Sequence, residues 1–245
     1  MTPGPGGRSD LLTRTYALHV PTSYRPGVPV PIVVQFHAHF SRTIRHQSEM
    51  DALSERYGFI AVYPRGFDDS WNAGGNCFCG FASFVDADEQ LFTETVLDDL
   101  EQRFCVDTSR VFLSGQAIGG MLALGLGCSI SERIAAVGAV DGAEMVIPCE
   151  ASRPVPAMII AASDWSQDQQ SPEFWADAFQ TWASTDRCGD GDATAVVCGN
   201  DAMQCVEHAA CDQGTVVRRC TPTPTASPAA QWEGLVRFFT AHSLP

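Results

Sequence analysis

The chain is short of positive charge, and it contains no long apolar run and no internal repeat. Fifteen Lys and Arg stand against 29 Asp and Glu, a formal net charge of −14 at pH 7. That balance argues against nucleic acid or an anionic membrane surface as a partner. No stretch of about 20 apolar residues exists to span a bilayer. Wholesale disorder is excluded too, because 45% of the 245 residues are hydrophobic and only 18% charged. No apolar secretory core precedes the first element, and residues 1–10, rich in Gly and Pro, are expected to be a linker or the remnant of a removed leader.

What is abundant is cysteine. Ten in 245 residues are too many for a reducing compartment and imply a disulfide framework in an exported, secreted or periplasmic protein. Pairing is not legible from spacing. Zinc is the alternative for Cys77 and Cys79, but no second C-x₂-C and no nearby histidine completes a tetrahedral set. No metal or cofactor is expected.

Strand and helix patterns alternate along the chain. Leu12 to Val20, Pro31 to Phe36, Phe59 to Tyr63, Arg110 to Ser114, Ile134 to Val140, Ala157 to Ala161 and Thr215 to Arg219 read as strands. Gln47 to Tyr57, Ala87 to Phe104, Met121 to Leu126, Phe174 to Trp182 and Ala229 to His242 read as helices. This order implies an α/β fold with a mainly parallel sheet covered on both faces. Residues 11–245 are expected to form one domain, with residues 188–214 as a cysteine-rich, disulfide-tied excursion. The aromatics Phe174, Trp175, Phe179 and Trp182 are expected in the core.

The most informative stretch is Gly115-Gln116-Ala117-Ile118-Gly119-Gly120. A short buried strand, a glycine-rich sharp turn and an apolar helix are the setting of the G-x-S-x-G elbow, whose strained turn lifts a serine hydroxyl above the sheet. The frame is present and the hydroxyl is not. An alanine methyl cannot attack a carbonyl or form an acyl intermediate.

With the elbow placed, the chain resembles the secreted polyhydroxybutyrate depolymerase-like esterases of the α/β-hydrolase fold, a group that includes feruloyl and acetylxylan esterases. The matching stretches are Tyr16-Ala17-Leu18-His19-Val20-Pro21, Gly58-Phe59-Ile60-Ala61-Val62-Tyr63-Pro64, Ser70-Trp71-Asn72-Ala73-Gly74-Gly75, and Arg103-Phe104-Cys105-Val106-Asp107 running on through Arg110-Val111. Their order and spacing together carry the resemblance, and the last quarter matches loosely. The resemblance implies a nucleophile position at Ala117, an acid position at Asp164 and a histidine position near Thr225, set by aligning Pro228 with the family's Gly-His-x-Trp-Pro segment. The loop from Thr221 to Pro228 contains no histidine. The oxyanion segment, His-Gly in the family, reads His37-Ala38-His39, and a Cβ at that glycine would bend the backbone that must line the pocket. Ala38, His39, Ile118, Trp71 and Trp165 are the expected oxyanion and pocket residues.

Two of three catalytic positions are thus substituted, and loss of the nucleophile alone costs a serine hydrolase roughly 10⁶ in rate. A laboratory Ser→Ala change accounts for Ala117 but not for the empty histidine loop. The expectation is a catalytically impaired relative of ester hydrolases, whose cleft takes a small ester, a polyester or a polysaccharide-linked ester. The alternative is a working esterase captured as a Ser→Ala variant or served by a relocated histidine. His208, inside the cysteine-rich excursion, is a candidate base only if that excursion folds over the pocket. His37, His39 and His46 invite a metal reading, since H-x-H on a strand puts both rings on one face, but no Asp, Glu or Cys completes a set nearby. Ser114, Ser163 and Ser227 lie near the expected site without standing at a turn tip.

Overall fold

The β-branched run Val30–Phe36 and the apolar runs Ile60–Pro64, Ala136–Val140 and Ala157–Ile160 leave almost no exposed side chain, as strands covered on both faces must. The computed structural model describes residues 14–39, 47–74, 80–142, 151–161, 172–189, 191–198 and 202–245, and every structural statement below concerns these. Nine strands form one sheet in the order β1-β3-β2-β4-β5-β6-β9-β8-β7. They are β1 (Tyr16–His19), β2 (Val30–Phe36), β3 (Ile60–Pro64), β4 (Val106–Gln116), β5 (Ala136–Val140), β6 (Ala157–Ile160), β7 (Thr194–Val197), β8 (Met203–His208) and β9 (Val217–Pro222). The six strands from β3 to β9 run parallel; β1 at one edge and β8 at the other run opposite to them, and β7 pairs antiparallel with β8.

Six helices complete the fold: α1 (Gln47–Tyr57), α2 (Phe81–Phe84), α3 (Glu89–Arg103), α4 (Ile118–Ser129), α5 (Pro172–Thr185) and α6 (Pro228–Thr240). Leu97 and Leu100 of α3, Leu122 and Leu124 of α4 and Trp182 of α5 bury against one sheet face. Met50 and Leu53 of α1 and Trp232, Leu235 and Phe239 of α6 bury against the other. Phe239 stacks on Phe112 of β4 with ring centroids 5.0 Å apart. Helix α4 is apolar all round and buried over nearly its whole length, because it lies between β4, β5 and the layer outside.

Most expected elements appear within a few residues of their predicted ends, and three differences matter. The segment read as an excursion carries a Cys188–Cys211 disulfide, a pairing the spacing left open, and it extends the sheet through β7 and β8. Strand β9 runs to Pro222, so the loop before α6 is shorter than its sequence suggests. The sequence Phe67 to Phe84, read as loop, ends in the short helix α2.

Candidate functional site

At the C-terminal end of the sheet, β4 passes into α4 through Ala117, which adopts φ 51° and ψ −122°. An L-residue is strained there, by about 1–3 kcal/mol, and persists only where its surroundings over-determine it. The surroundings do so. The Ala117 N–H donates to the Val140 carbonyl at 2.9 Å, and the Ala117 carbonyl accepts from Gly120 N–H at 2.9 Å and Met121 N–H at 3.1 Å. Two glycines make the approach feasible. A Cβ on Gly119 would lie 2.4 Å from the Phe36 carbonyl oxygen and 2.6 Å from that of His37. One on Gly142 would lie 2.0 Å from the Ala117 carbonyl oxygen. The first turn of α4 is thereby pressed onto the end of β2. Ala117 itself is half-buried, and Ile118 behind it is buried.

The segment expected to face the elbow leaves β2 after Phe36, so His37 and His39 do not lie on a strand and the shared-face argument for a metal does not apply. His37 is buried with both ring nitrogens engaged. Gly66 N–H donates to Nε2 at 2.9 Å, so the proton sits on Nδ1, which donates to the Ala38 carbonyl at 2.8 Å. Burial pushes its pKa below the ordinary histidine value, which fits this neutral tautomer. Trp71 is fully buried; its indole N–H donates to the His37 carbonyl at 2.9 Å, and its ring meets Phe36 edge-on. It buttresses the segment from beneath. His39 is half-buried, with its pKa also lowered by burial, and Nε2 lies 2.8 Å from where a Cβ on Gly80 would stand, on the side of Ser70.

The remaining candidates scatter. Thr225 is exposed in the loop between β9 and α6, and Ser227 caps α6 by accepting from Ala230 N–H at 3.2 Å. Ser114 is buried and donates to the Val34 carbonyl. His242 Nδ1 donates to the Phe238 carbonyl at 2.7 Å, and burial lowers its pKa. His19 pairs with Glu55 at 2.9 Å. His208 pairs with Val217, which pairs in turn with Ala157, Val137 and Leu113 across the sheet. It therefore stands four strands from β4 and four residues short of the Ala117 level, about 19 Å across the sheet and about 13 Å along it. Its ring stacks on Phe179 at 5.0 Å. The excursion does not carry it over the elbow. Asp164, Trp165, His46 and Ser163 lie outside the described residues.

One carboxylate was missed in the sequence. Asp141 follows β5 with φ 56°, is buried, and occupies the position beside Ala117 because Gln116 pairs with Val140. The available signal was a strand-end Asp followed by the glycine that contacts the Ala117 carbonyl. A groove of about 870 Å³ runs elsewhere, between β1 and α3, with Arg14, Leu18, Phe92 and Val96 in its walls. Arg14 sits over both the Phe92 and Trp71 rings and forms a buried 2.8 Å ion pair with Glu89. Arg14 of this groove thus contacts Trp71, whose indole N–H in turn holds the His37 carbonyl.

This sheet order, with a strained turn between the central strand and a buried helix, defines an α/β-hydrolase fold. The structure superposes on an acetyl xylan esterase from Aspergillus awamori with a TM-score of 0.67, 13% identity, and coverage of 92% of this chain and 93% of that one. In sequence the chain is 26% identical over 145 residues to a bifunctional acetylxylan esterase/xylanase from Neocallimastix patriciarum, covering 58% of this chain and 20% of that protein. It is 24% identical over 158 residues to feruloyl esterase B of Piromyces equi, covering 59% of this chain and 28% of that protein. The match thus spans less than a third of the length of each of these relatives. No family model matches. The resemblance to acetylxylan and feruloyl esterases drawn from the motifs is borne out by these relatives.

Proposed function

We propose that the chain is a catalytically impaired relative of secreted carboxylic-ester hydrolases, which keeps the elbow frame and binds an ester-bearing ligand without cleaving it by the serine route. The observation that carries this reading is Ala117 at the tip of the strained turn. The nucleophile position holds a methyl group, and a methyl group has neither lone pair nor exchangeable proton. The second support is the loop from Thr223 to Ser227, where the histidine position near Thr225 is an exposed threonine. A relocated base is disfavoured at His208 by its row in the sheet and at His37 by its two engaged nitrogens. Ala38 adds a side chain where backbone N–H groups would face an oxyanion. Asp164 is the proposed acid position, and Trp165 and Ile118 are proposed pocket residues. The disulfide-rich chain and its secreted-type resemblance support export.

Hydrolysis of a p-nitrophenyl ester by the wild-type protein, Ala117→Ser and Ala117→Ser/Thr225→His tests the reading. Background rates in the wild type and in Ala117→Ser, with a gain only in the double variant, are the expected result. Rapid turnover by Ala117→Ser alone would show that a base is already in place and overturn it.

A further inference from the structure

The segment that leaves β3 at the elbow end of the sheet carries an uncovered row of aromatic rings. Phe67 stacks on Phe81 with centroids 5.8 Å apart and planes 25° apart, and Phe81 on Phe84 at 5.6 Å and 28°. Rings this far apart are offset, so part of each face stays open. Phe81 is 46% exposed and Phe84 76%. A single apolar side chain at the surface needs no explanation, whereas a contiguous row of three marks an interaction site.

The row is tied from behind. Ser70 closes the turn after Phe67, donating to the Phe67 carbonyl from its N–H at 3.1 Å and from its hydroxyl at 2.9 Å. The same hydroxyl accepts from Ala82 N–H at 3.0 Å, and the Ser83 hydroxyl donates to the Trp71 carbonyl at 3.3 Å. Ala82, between the outer phenylalanines of α2, is fully buried. Helix α2 is thus pinned to the Trp71 turn with its aromatic face outward, and a preorganised face loses little entropy when it binds.

Charge selects the occupant. From Gly66 to Gln102 the chain has nine Asp and Glu and no Lys, Arg or His. Three of these carboxylates flank the rings on left-handed backbone: Asp68 (φ 51°) and Asp69 (φ 54°) directly after Phe67, and Asp86 (φ 51°) two residues after Phe84. Asp69 meets Arg65 at 3.3 Å, while Asp68 and Asp86 are exposed and have no cationic partner among the described residues. Carboxylates repel anions and offer only acceptors to the carbonyls of a polyester. A second copy of the chain would set one net charge of −14 against another. A cation gains twice, from the negative faces of the rings and from the carboxylates.

We propose that the row Phe67–Phe81–Phe84 is a docking face for a basic polypeptide segment, whose Arg or Lys side chains lie along the rings with their charged ends against Asp68 and Asp86. Arginine suits it better than lysine, because a planar guanidinium stacks on an aromatic face while its paired N–H groups meet a carboxylate. The face borders the elbow end of the sheet: Gly66, immediately before Phe67, holds His37 through its N–H. The proposal is independent of the fate of any ester at the elbow.

Isothermal titration calorimetry of the full chain with a four-repeat Arg-Ala peptide amide, its Gln-Ala counterpart and cellohexaose tests the proposal. Binding of the arginine peptide alone is expected, weakened about tenfold between about 0.02 and about 0.3 M salt. Phe84→Ser keeps the charge and should weaken binding about threefold, and Phe81→Ser/Phe84→Ser about tenfold. Asp68→Asn/Asp86→Asn should weaken it about tenfold as well. Asp192→Asn, which removes a charge just before β7 at the other edge of the sheet, should change it less than about twofold. All of the replaced side chains are exposed, so the variants keep the wild-type fold. No binding of the arginine peptide, or binding that both serine variants leave unchanged, would overturn the proposal. So would cellohexaose binding that the serine variants abolish, which would assign the row to a neutral glycan.

Discussion

Replacing Ala117 by glycine separates the frame of the elbow from its chemistry. At φ 51° and ψ −122° an alanine Cβ is strained by about 1–3 kcal/mol, and glycine adopts these angles freely. Against that gain stands glycine's greater freedom in the unfolded chain, about 0.5–1 kcal/mol. The backbone bonds that hold the turn, to Val140, Gly120 and Met121, involve no side-chain atom and survive the change. The difference is a net stabilisation of about 1 kcal/mol, which in a chain of this size raises the melting temperature by about 2–4 °C. Urea unfolding with disulfides intact reads it as a higher midpoint at an unchanged slope. Ala117→Val, β-branched in the same backbone, should move the opposite way by a larger amount. A glycine variant destabilised by 1 kcal/mol or more would refute the claim that the turn stores strain at this residue.

Three further outcomes follow from the same physics. Gly119→Ala drives a Cβ into two backbone carbonyls that cannot rotate away, and a loss of about 3 kcal/mol in chemical denaturation is expected. Arg14→Ala leaves Glu89 buried without its cation, its pKa already raised by burial, and should cost about 3–5 kcal/mol, much of it recovered when Glu89→Leu is added. Asp186, buried and hydrogen-bonded by Val155 N–H, has its pKa raised by burial to about 7. Because the folded state then holds its proton more tightly than the unfolded chain, this group subtracts stability as pH rises from about 4 to about 7. Asp186→Asn should therefore gain on the wild type across that window in pH-dependent urea melts, and a constant difference would contradict the assignment.

The sheet was legible because its strands are short β-branched or apolar runs bounded by Gly and Pro, and the helices because their apolar faces repeat at helical spacing. Gln47–Tyr57 was placed to the residue, closed by Gly58. Strands β7 and β8 were not, because they are short runs set among Asp, Gly and Cys residues that read as loop, and the ladder that joins them to β9 defines them as strands. The same ladder put His208 out of reach of the elbow, a fact of sheet order that no local pattern carries. His37 and His39 looked like strand residues since the run before them is β-branched; the strand ends at Phe36 because α4 presses its first turn onto that point. The elbow was readable from glycine spacing alone, while Asp141 beside it emerged only once β5 was seen in register with β4.

The most direct test of the account is the intact mass of the wild-type protein after exposure to an excess of a fluorophosphonate, with adducts located by peptide mapping. An unchanged mass is predicted, since Ala117 at the tip of the turn carries neither a hydroxyl nor a thiol. A stoichiometric adduct on any residue of this chain, formed at the rate of a working serine esterase, would contradict it.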